Sequence, residues 1–221
     1  TRYIGVTGVQ TCALPISRAI SGGAGVLYMY GNYAGDVMNF DMAAEMAAIE
    51  GIEVRTVLTT DDIASASRDR HQSRRGVAGN FFIFKAAGAA CDLMWSLDEV
   101  ERVARWANER TFTMGVALAP CSLPEVRRPN FTLGEDEMEI GMGIHGEQGV
   151  ARGPLQRADA IVDQMMDIIL AEMAAPPDAK VAVLVNGLGA TPLMELYIMN
   201  RRVKQRLDAA GLEVHATWVG N

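Results

Sequence analysis

Cysteine is scarce in this chain. Cys12, Cys91 and Cys121 in 221 residues are too few and too irregularly spaced for a disulfide framework or a metal-binding set. A reduced, cytoplasmic setting is the expectation that follows. Basic charge is also short: 20 Lys and Arg face 27 Asp and Glu, for a formal net charge of −7. The pairs Arg74-Arg75, Arg127-Arg128 and Arg201-Arg202 are scattered along the chain and read as solvated faces. A nucleic-acid partner is excluded on that ground, because phosphate binding needs clustered cations. No apolar run approaches the roughly 18 residues of a membrane-spanning helix, so no membrane partner is expected. The phosphate-loop pattern GxxxxGK[ST] is absent, as are HxxxH and CxxC metal spacings. There is no internal repeat and no low-complexity segment.

What is present is alternation. With 49% apolar and 21% charged residues the chain can bury a core, and short β-type runs alternate with helical stretches. Residues 25–30 (GVLYMY) form a continuous apolar run behind glycines, as a buried parallel strand does. Residues 36–50, rich in Ala, Met and Glu, predict a helix ending at Gly51. Residues 53–58 (EVRTVL) predict the next strand, which completes a βαβ unit. Residues 59–75 read as loop with some helix, and 79–93 as helix. Ser96-Leu97-Asp98-Glu99 is a capping box that opens a further helix, running to about Arg110. Strands are expected at 113–119, 180–186 and 213–219, with helices at 157–174 and 192–210. The fold class is α/β, with strands and helices alternating in sheet domains.

Residues 6–16 (VTGVQTCALPI) resemble the translation of a sequencing-adapter oligonucleotide. Residues 1–17 are therefore expected to be a non-native leader. A signal peptide fits less well, because no basic region leads into a sustained apolar one. The expected division is a first α/β subdomain over 18–120 and a second over 121–221, both parts of a longer protein.

Two places carry chemistry. Gly31-Asn32-Tyr33-Ala34-Gly35-Asp36 follows an apolar strand and precedes a helix, where ligands of α/β sheets bind. Its glycines permit close backbone approach to a small ligand. The residues alone leave Asp36 open as a general base or as a helix cap. In residues 139–149 (EIGMGIHGEQG), glycines surround His145. An imidazole in such a loop can be nucleophile, base or ligand, or a loop histidine satisfied by the backbone. The remaining features have plainer readings. Gly187-Leu188-Gly189-Ala190-Thr191-Pro192 reads as a tight strand-to-helix turn rather than a phosphate cradle. Asp61-Asp62 reads as a helix cap rather than a Mg²⁺ site, Glu135-Asp136-Glu137 as an acidic edge, and His71 as surface. Met38, Met42 and Met46, like Met165, Met166 and Met173, read as core filler.

Three segments together resemble a known family. Residues 22–27 (GGAGVL) leading into 32–40 (NYAGDVMNF) are similar to the GGxGVL…NYxGDxxNF signature of the ketose-binding domain of the dihydroxyacetone kinase family. Residues 138–149 resemble its E-x-G-x-GIHGE-x-G signature, and 185–192 resemble VNxLGxT. Arg74-Arg75-Gly76-Val77-Ala78-Gly79 and Pro120-Cys121-Ser122-Leu123-Pro124 fall where the family has similar runs.

The resemblance implies a transferase of the glycerone kinase type. It implies that His145 forms a reversible hemiaminal with the ketone carbon of dihydroxyacetone. It also implies that Asp36 is the base on the substrate hydroxyl, with Gly31 and Gly35 beside the substrate, and that the domain itself binds no cofactor. ATP or ADP with Mg²⁺ belongs to a separate nucleotide-binding domain or subunit of the DhaL/Dak2 type, and the complete protein is expected to be a homodimer. ATP-dependent and phosphotransferase-system-dependent types remain open. Two departures matter. A GGGSGHEP-type segment carrying a second active-site histidine is absent, as is a downstream serine, so this polypeptide alone is expected to be inactive. Gly31 also stands where many members carry Lys, which points to erythrulose as an alternative substrate. A non-catalytic, ketose-binding or partner-binding regulator is the alternative function.

Overall fold

The computed structural model describes residues 13–120, 122 and 128–221. The chain forms two compact units, Thr1–Thr113 and Met114–Asn221.

The first unit contains α1 (Ala13–Ile20), β1 (Val26–Gly31), α2 (Ala34–Ile49), β2 (Val54–Thr59), a 3₁₀ turn (Arg68–Ser73), α3 (Asn80–Asp92) and α4 (Leu97–Asn108). β1 and β2 pair in parallel from Val26 opposite Val54 to Gly31 opposite Thr59. β1 is apolar on both faces because both are covered. Leu27 and Met29 enter a cluster with Ile83 and Ala87 of α3 and Val100 and Ala104 of α4. Val26, Tyr28 and Tyr30 join Ala13 of α1 and Phe40 and Ala43 of α2. Helices thus lie on both sides of the parallel pair, the layered α/β arrangement that the sequence predicts. The Ser17 hydroxyl of α1 is fully buried and lies 2.5 Å from the Tyr28 hydroxyl. The capping box of α4 forms as expected: Ser96 Oγ accepts the Glu99 N–H, and Glu99 accepts the Ser96 N–H at 3.0 Å.

The second unit contains β3 (Val116–Ala117), β4 (Glu137–Ile140), β5 (Ala151–Pro154), α5 (Ala158–Met173), β6 (Lys180–Asn186), α6 (Leu193–Ala209) and β7 (Glu213–Gly220). β6 and β7 pair in parallel, while β3, β4 and β5 form an antiparallel sheet. α5 serves both sheets. Val162 and Met166 pack with Leu207 of α6 and with Val181 and Val183 of β6. Ile161 packs with Met138 and Ile140 of β4.

Three expectations are corrected. The strand predicted over 113–119 is reduced to the two residues of β3, with Thr113 in an isolated bridge to Asp62. β4 and β5 are unanticipated: β4 begins inside the stretch read as an acidic edge, and ARGP of β5 has no β-type composition. The Met38, Met42 and Met46 stripe of α2 is not core filler, since these side chains are 70%, 60% and 47% exposed. α2 instead turns Phe40, Ala43 and Ala47 inward. Met166 is buried as predicted, and Met165 and Met173 are partly buried against the core. Among the described residues no helix is long and apolar enough to cross a membrane.

Candidate active site

The first candidate stands at the carboxyl end of β1. Gly31 closes the strand, and its carbonyl accepts the Tyr33 N–H at 2.9 Å as the chain turns into α2. Tyr33 occupies the cap position with no side-chain cap hydrogen bond, and Asp36 sits in the first helical turn. The capping role left open for Asp36 is therefore not the one it has here. Its carboxylate is partly exposed and stands beside Gly35, where a Cβ would meet nothing within 4 Å. Gly35 leaves space next to the acid. Gly31 answers a different need, because a Cβ there would lie 2.9 Å from the Tyr33 ring and 3.0 Å from the Gly76 carbonyl. Gly31, Gly35 and Asp36 are thus brought together at one strand-to-helix junction.

The loop behind this junction is tied by side chains that bind backbone. Asn32 Nδ2 donates to the carbonyls of Gln72 (3.1 Å) and Arg74 (2.9 Å). The Tyr33 hydroxyl donates to the Gly76 carbonyl at 3.1 Å. Gly76 meets Gly31 backbone to backbone, since a Cβ on Gly76 would fall 2.6 Å from the Gly31 Cα and 2.0 Å from Thr59 Oγ1.

Asp61 and Asp62 hold the same loop from below. Fully buried Asp61 accepts the N–H groups of Val77 (3.1 Å) and Gly79 (2.8 Å) and the Thr113 hydroxyl (2.7 Å). Burial pushes the Asp61 carboxyl above its ordinary pKa, and these hydrogen bonds offset only part of that rise. Asp62 accepts from Arg75 Nε at 2.8 Å. Burial raises it as well, against the pull of the Arg75 charge. The helix-cap reading of the pair is corrected accordingly. No helix starts at these residues, and Asp61 instead fixes the residues leading into α3.

The second candidate belongs to the other unit. Residues 141–150 connect β4 to β5 and carry His145 at the surface, with its side chain 61% exposed. The turn closes through Gly146 N–H to the Gly143 carbonyl (3.0 Å) and Gly143 N–H to the Glu147 carbonyl (2.9 Å). Gly146 has φ +91°, where a side chain is strained, and a Cβ there would lie 2.9 Å from Asn130 Nδ2. Asn130 Nδ2 donates to the His145 carbonyl at 2.8 Å. At the base of the loop the Gly149 N–H donates to buried Glu139 at 2.6 Å.

His145 has a carboxylate partner. Its Nδ1 is 3.0 Å from Glu147 Oε1, and its own N–H donates to Glu147 Oε2 at 3.1 Å. Burial pulls the Glu147 carboxyl upward. Hydrogen bonds from its own backbone, the His145 ring and the His145 N–H outweigh that, leaving it below the ordinary carboxylate value. An exposed imidazole with one nitrogen engaged by an anion can present the other nitrogen to an electrophile.

The other sequence candidates are structural in the described residues. The turn at 187–192 spends its N–H groups on the protein itself: Leu188 donates to Asn186 Oδ1 (3.0 Å), Gly189 to Asn221 Oδ1 (3.1 Å), and Ala190 and Thr191 to the Gly187 carbonyl. It is a strand-to-helix turn, as expected. His71 is exposed, with Nδ1 3.2 Å from the Arg68 carbonyl. No group of three or more metal-ligating side chains occurs among the described residues. Sequence reasoning missed Glu147, although its spacing of two from His145 was a usable signal. It also missed the tying roles of Asn32, Tyr33 and Asp61, whose partners lie far along the chain.

A profile of the Dak1 domain matches residues 10–221. The chain belongs to the Dak1-domain family. The dihydroxyacetone-binding subunit DhaK of a PTS-dependent dihydroxyacetone kinase from Listeria innocua is 51% identical to this Dak1 chain over 204 residues, covering 92% of it and 61% of the relative. The chain thus spans about three-fifths of that subunit's length. An L-erythrulose 1-kinase from Mycolicibacterium smegmatis is 43% identical, covering 93% of the chain and 37% of the kinase. Among solved structures, the dihydroxyacetone kinase operon co-activator DhaQ superposes with a TM-score of 0.87 at 34% identity. That match covers 96% of the Dak1 chain and 66% of the co-activator.

Proposed function

We propose that this chain is the ketose-binding part of a dihydroxyacetone-kinase-type phosphotransferase, with His145 as covalent anchor and Asp36 as general base. The observation that carries the reading is the exposed His145 ring on a glycine turn, with Nδ1 engaged by Glu147. A ketose of three or four carbons offers little surface for binding. A covalent hemiaminal supplies orientation that hydrogen bonds alone give poorly, and such positioning is worth up to about 7–11 kcal/mol. The same chemistry selects ketones over polyols, which have no carbonyl to add to. Asp36, in the first turn of α2 without a capping duty, is available to take a hydroxyl proton. Gly31 and Gly35 line the junction beside it.

The phosphoryl donor is assigned to a partner, a DhaL/Dak2-type nucleotide domain or subunit carrying ATP or ADP with Mg²⁺. The complete protein is assigned a homodimeric state and a cytoplasmic setting. Dihydroxyacetone is the first substrate and erythrulose the alternative, in line with the activity named for the Mycolicibacterium relative. The likeness to a co-activator favours a second reading, a ketose-responsive regulator that does not transfer phosphate. Asp36, which has no capping duty among the described residues, weighs toward the enzyme, since a sensor has no use for a base.

The test is intact-mass spectrometry of the full-length protein with dihydroxyacetone or erythrulose. The expected result is a gain of one whole ketose with no loss of water, absent in His145→Ala. An adduct that persists in His145→Ala overturns the assignment.

A further inference from the structure

We propose that Glu139 is a positioning residue of the candidate site: its carboxylate reaches from β4 to the Gly149 N–H and fixes where the His145 loop rejoins the sheet. This rests on reading that loop as part of the ketose site. Packing alone would not choose a glutamate for this place. β4 is the middle strand of the antiparallel sheet, and Glu139 lies between Ala117 of β3 and Arg152 of β5. Its neighbours Met138 and Ile140 turn to the core with Ile161, while Glu139 faces the other way and is still only 6% exposed. Carboxylates are rarely buried unless they are paired.

Two groups face it, and distance separates their roles. Oε1 accepts the Gly149 N–H at 2.6 Å, a short bond of the charge-assisted kind. Oε2 stands 3.8 Å from Arg152 Nε, too far for a hydrogen bond. The Arg152 guanidinium is partly exposed and shares its charge with Glu137 at 3.5 Å. Arg152 therefore supplies countercharge, whereas the Gly149 amide sets the direction of the carboxylate. Glycine at 149 permits that approach. A Cβ there would lie 2.3 Å from the Ile140 carbonyl oxygen and 3.0 Å from Glu139 Cγ. Acceptor and glycine are thus specified together from opposite ends of the loop.

What the tie does follows from the composition of the loop. Glycines at 141, 143, 146 and 149 give its backbone more freedom than other residues would. Backbone bonds close it through Gly141 N–H to the Gly115 carbonyl (2.7 Å) and Val150 N–H to the Ile140 carbonyl (2.8 Å). Those bonds fix its first and last residues. Glu139 adds a hold one residue further in, on the arm that returns from His145. Arg152 extends the hold sideways, since it also donates to the carbonyl of Thr132, close in sequence to the Asn130 that donates to the His145 carbonyl. Misplacing a reacting group by about 1 Å can cost roughly a hundredfold in rate, so a glycine-rich loop gains from such a hold.

The experiment is amide hydrogen exchange by NMR on the full-length protein, with dihydroxyacetone affinity measured by calorimetry on the same samples. Wild type is expected to show a slowly exchanging Gly149 amide. Glu139→Ala is expected to speed that exchange about tenfold or more, the scale of losing a hydrogen bond to a charged group. It should weaken dihydroxyacetone binding by a similar factor while the amides of α5 keep their wild-type rates. Glu139→Gln keeps an acceptor for Gly149 and is expected to recover most of both losses. Gly149→Ala is expected to weaken binding as well, and to add little to Glu139→Ala, because both act through one tie. A fast-exchanging Gly149 amide in wild type overturns the proposal and needs no variant to fold. So does a Glu139→Ala protein whose Gly149 amide is freed but whose affinity is unchanged. A loss of protection that spreads through α5 overturns it too, since Glu139 then serves the fold alone. A wild type with a protected Gly149 amide that binds no dihydroxyacetone sinks the ketose reading instead and leaves the Glu139 hold standing.

Discussion

The two glycine-bearing loops of this chain are built on opposite plans. In the first unit, the junction of β1 and α2 rests on a loop tied to neighbouring backbone by Asn32, Tyr33 and the buried Asp61. Its glycines Gly31 and Gly76 are in backbone contact. In the second unit, the loop between β4 and β5 carries an exposed histidine, and a carboxylate two residues away holds both its ring and its amide. The first plan suits a base whose position must be set by the fold. The second suits a nucleophile that must meet an incoming molecule and be oriented by a group travelling with it. Buried polar ties hold a backbone but close it to solvent, whereas a local carboxylate orients a ring that stays accessible.

The sharpest way to break this comparison is Asp61→Ala. It strips the acceptor from two backbone N–H groups and one hydroxyl in a buried place. At about 1–3 kcal/mol for each unsatisfied group, the loss is expected to reach roughly 3–5 kcal/mol. Tm should then fall by about 10 °C or more. Thermal unfolding followed by circular dichroism measures it. A Tm within about 2 °C of wild type removes the claim that buried ties organise the first loop.

Acid offers a smaller and more discriminating test, because the two plans shift their carboxyls in opposite senses. Burial holds Asp61 above its ordinary pKa in the folded state. As pH falls toward the unfolded value of about 3.9, the folded protein takes up that proton first, so this group's contribution to stability rises on acidification. Glu147 is held below its ordinary value by the hydrogen bonds that overcome its burial. Its contribution is present above the unfolded pKa of about 4.3 and is lost as pH falls through the folded one. Carbon-13 titration of the two carboxyls over roughly pH 3 to 7 should place the Asp61 midpoint above the ordinary value and the Glu147 midpoint below it. Midpoints in the reverse order would show that burial does not separate the loops.

Much of this was legible in the sequence, and the gaps have physical causes. The strand at β1, the capping box at Ser96 and the helices α5 and α6 follow from local pattern, because each is fixed by residues within a turn or two of itself. The candidate residues Asp36 and His145 stood out because glycines and a strand end flank them. β4 and β5 did not, because their pairing partners, not their own composition, make them strands. Asp61 read as a local cap because its partners at Val77, Gly79 and Thr113 are distant in the chain. The methionines of α2 were misplaced because a residue type that fills cores equally well covers a surface. Composition alone cannot say which face of a helix turns inward.

That last error yields the smallest and cleanest prediction, in which one residue type is compared on two helices. Met42 of α2 is 60% exposed, and Met166 of α5 is 6% exposed among Val162, Leu207 and Leu212. Met42→Gln removes little buried apolar area, and glutamine is as good a helix former, so the change in stability should stay within about 0.5 kcal/mol. Met166→Gln places an amide in an apolar cluster with no partner prepared for it, so the cost should exceed about 2 kcal/mol. Paired urea unfolding curves measure both. Equal losses would mean that the α2 stripe is covered in solution, and the helix would then present to a neighbour the face that is open here. A loss confined to Met166 ties each methionine to its exposure. It would also leave α2 free to hold Asp36 at its first turn without depending on whatever meets the stripe.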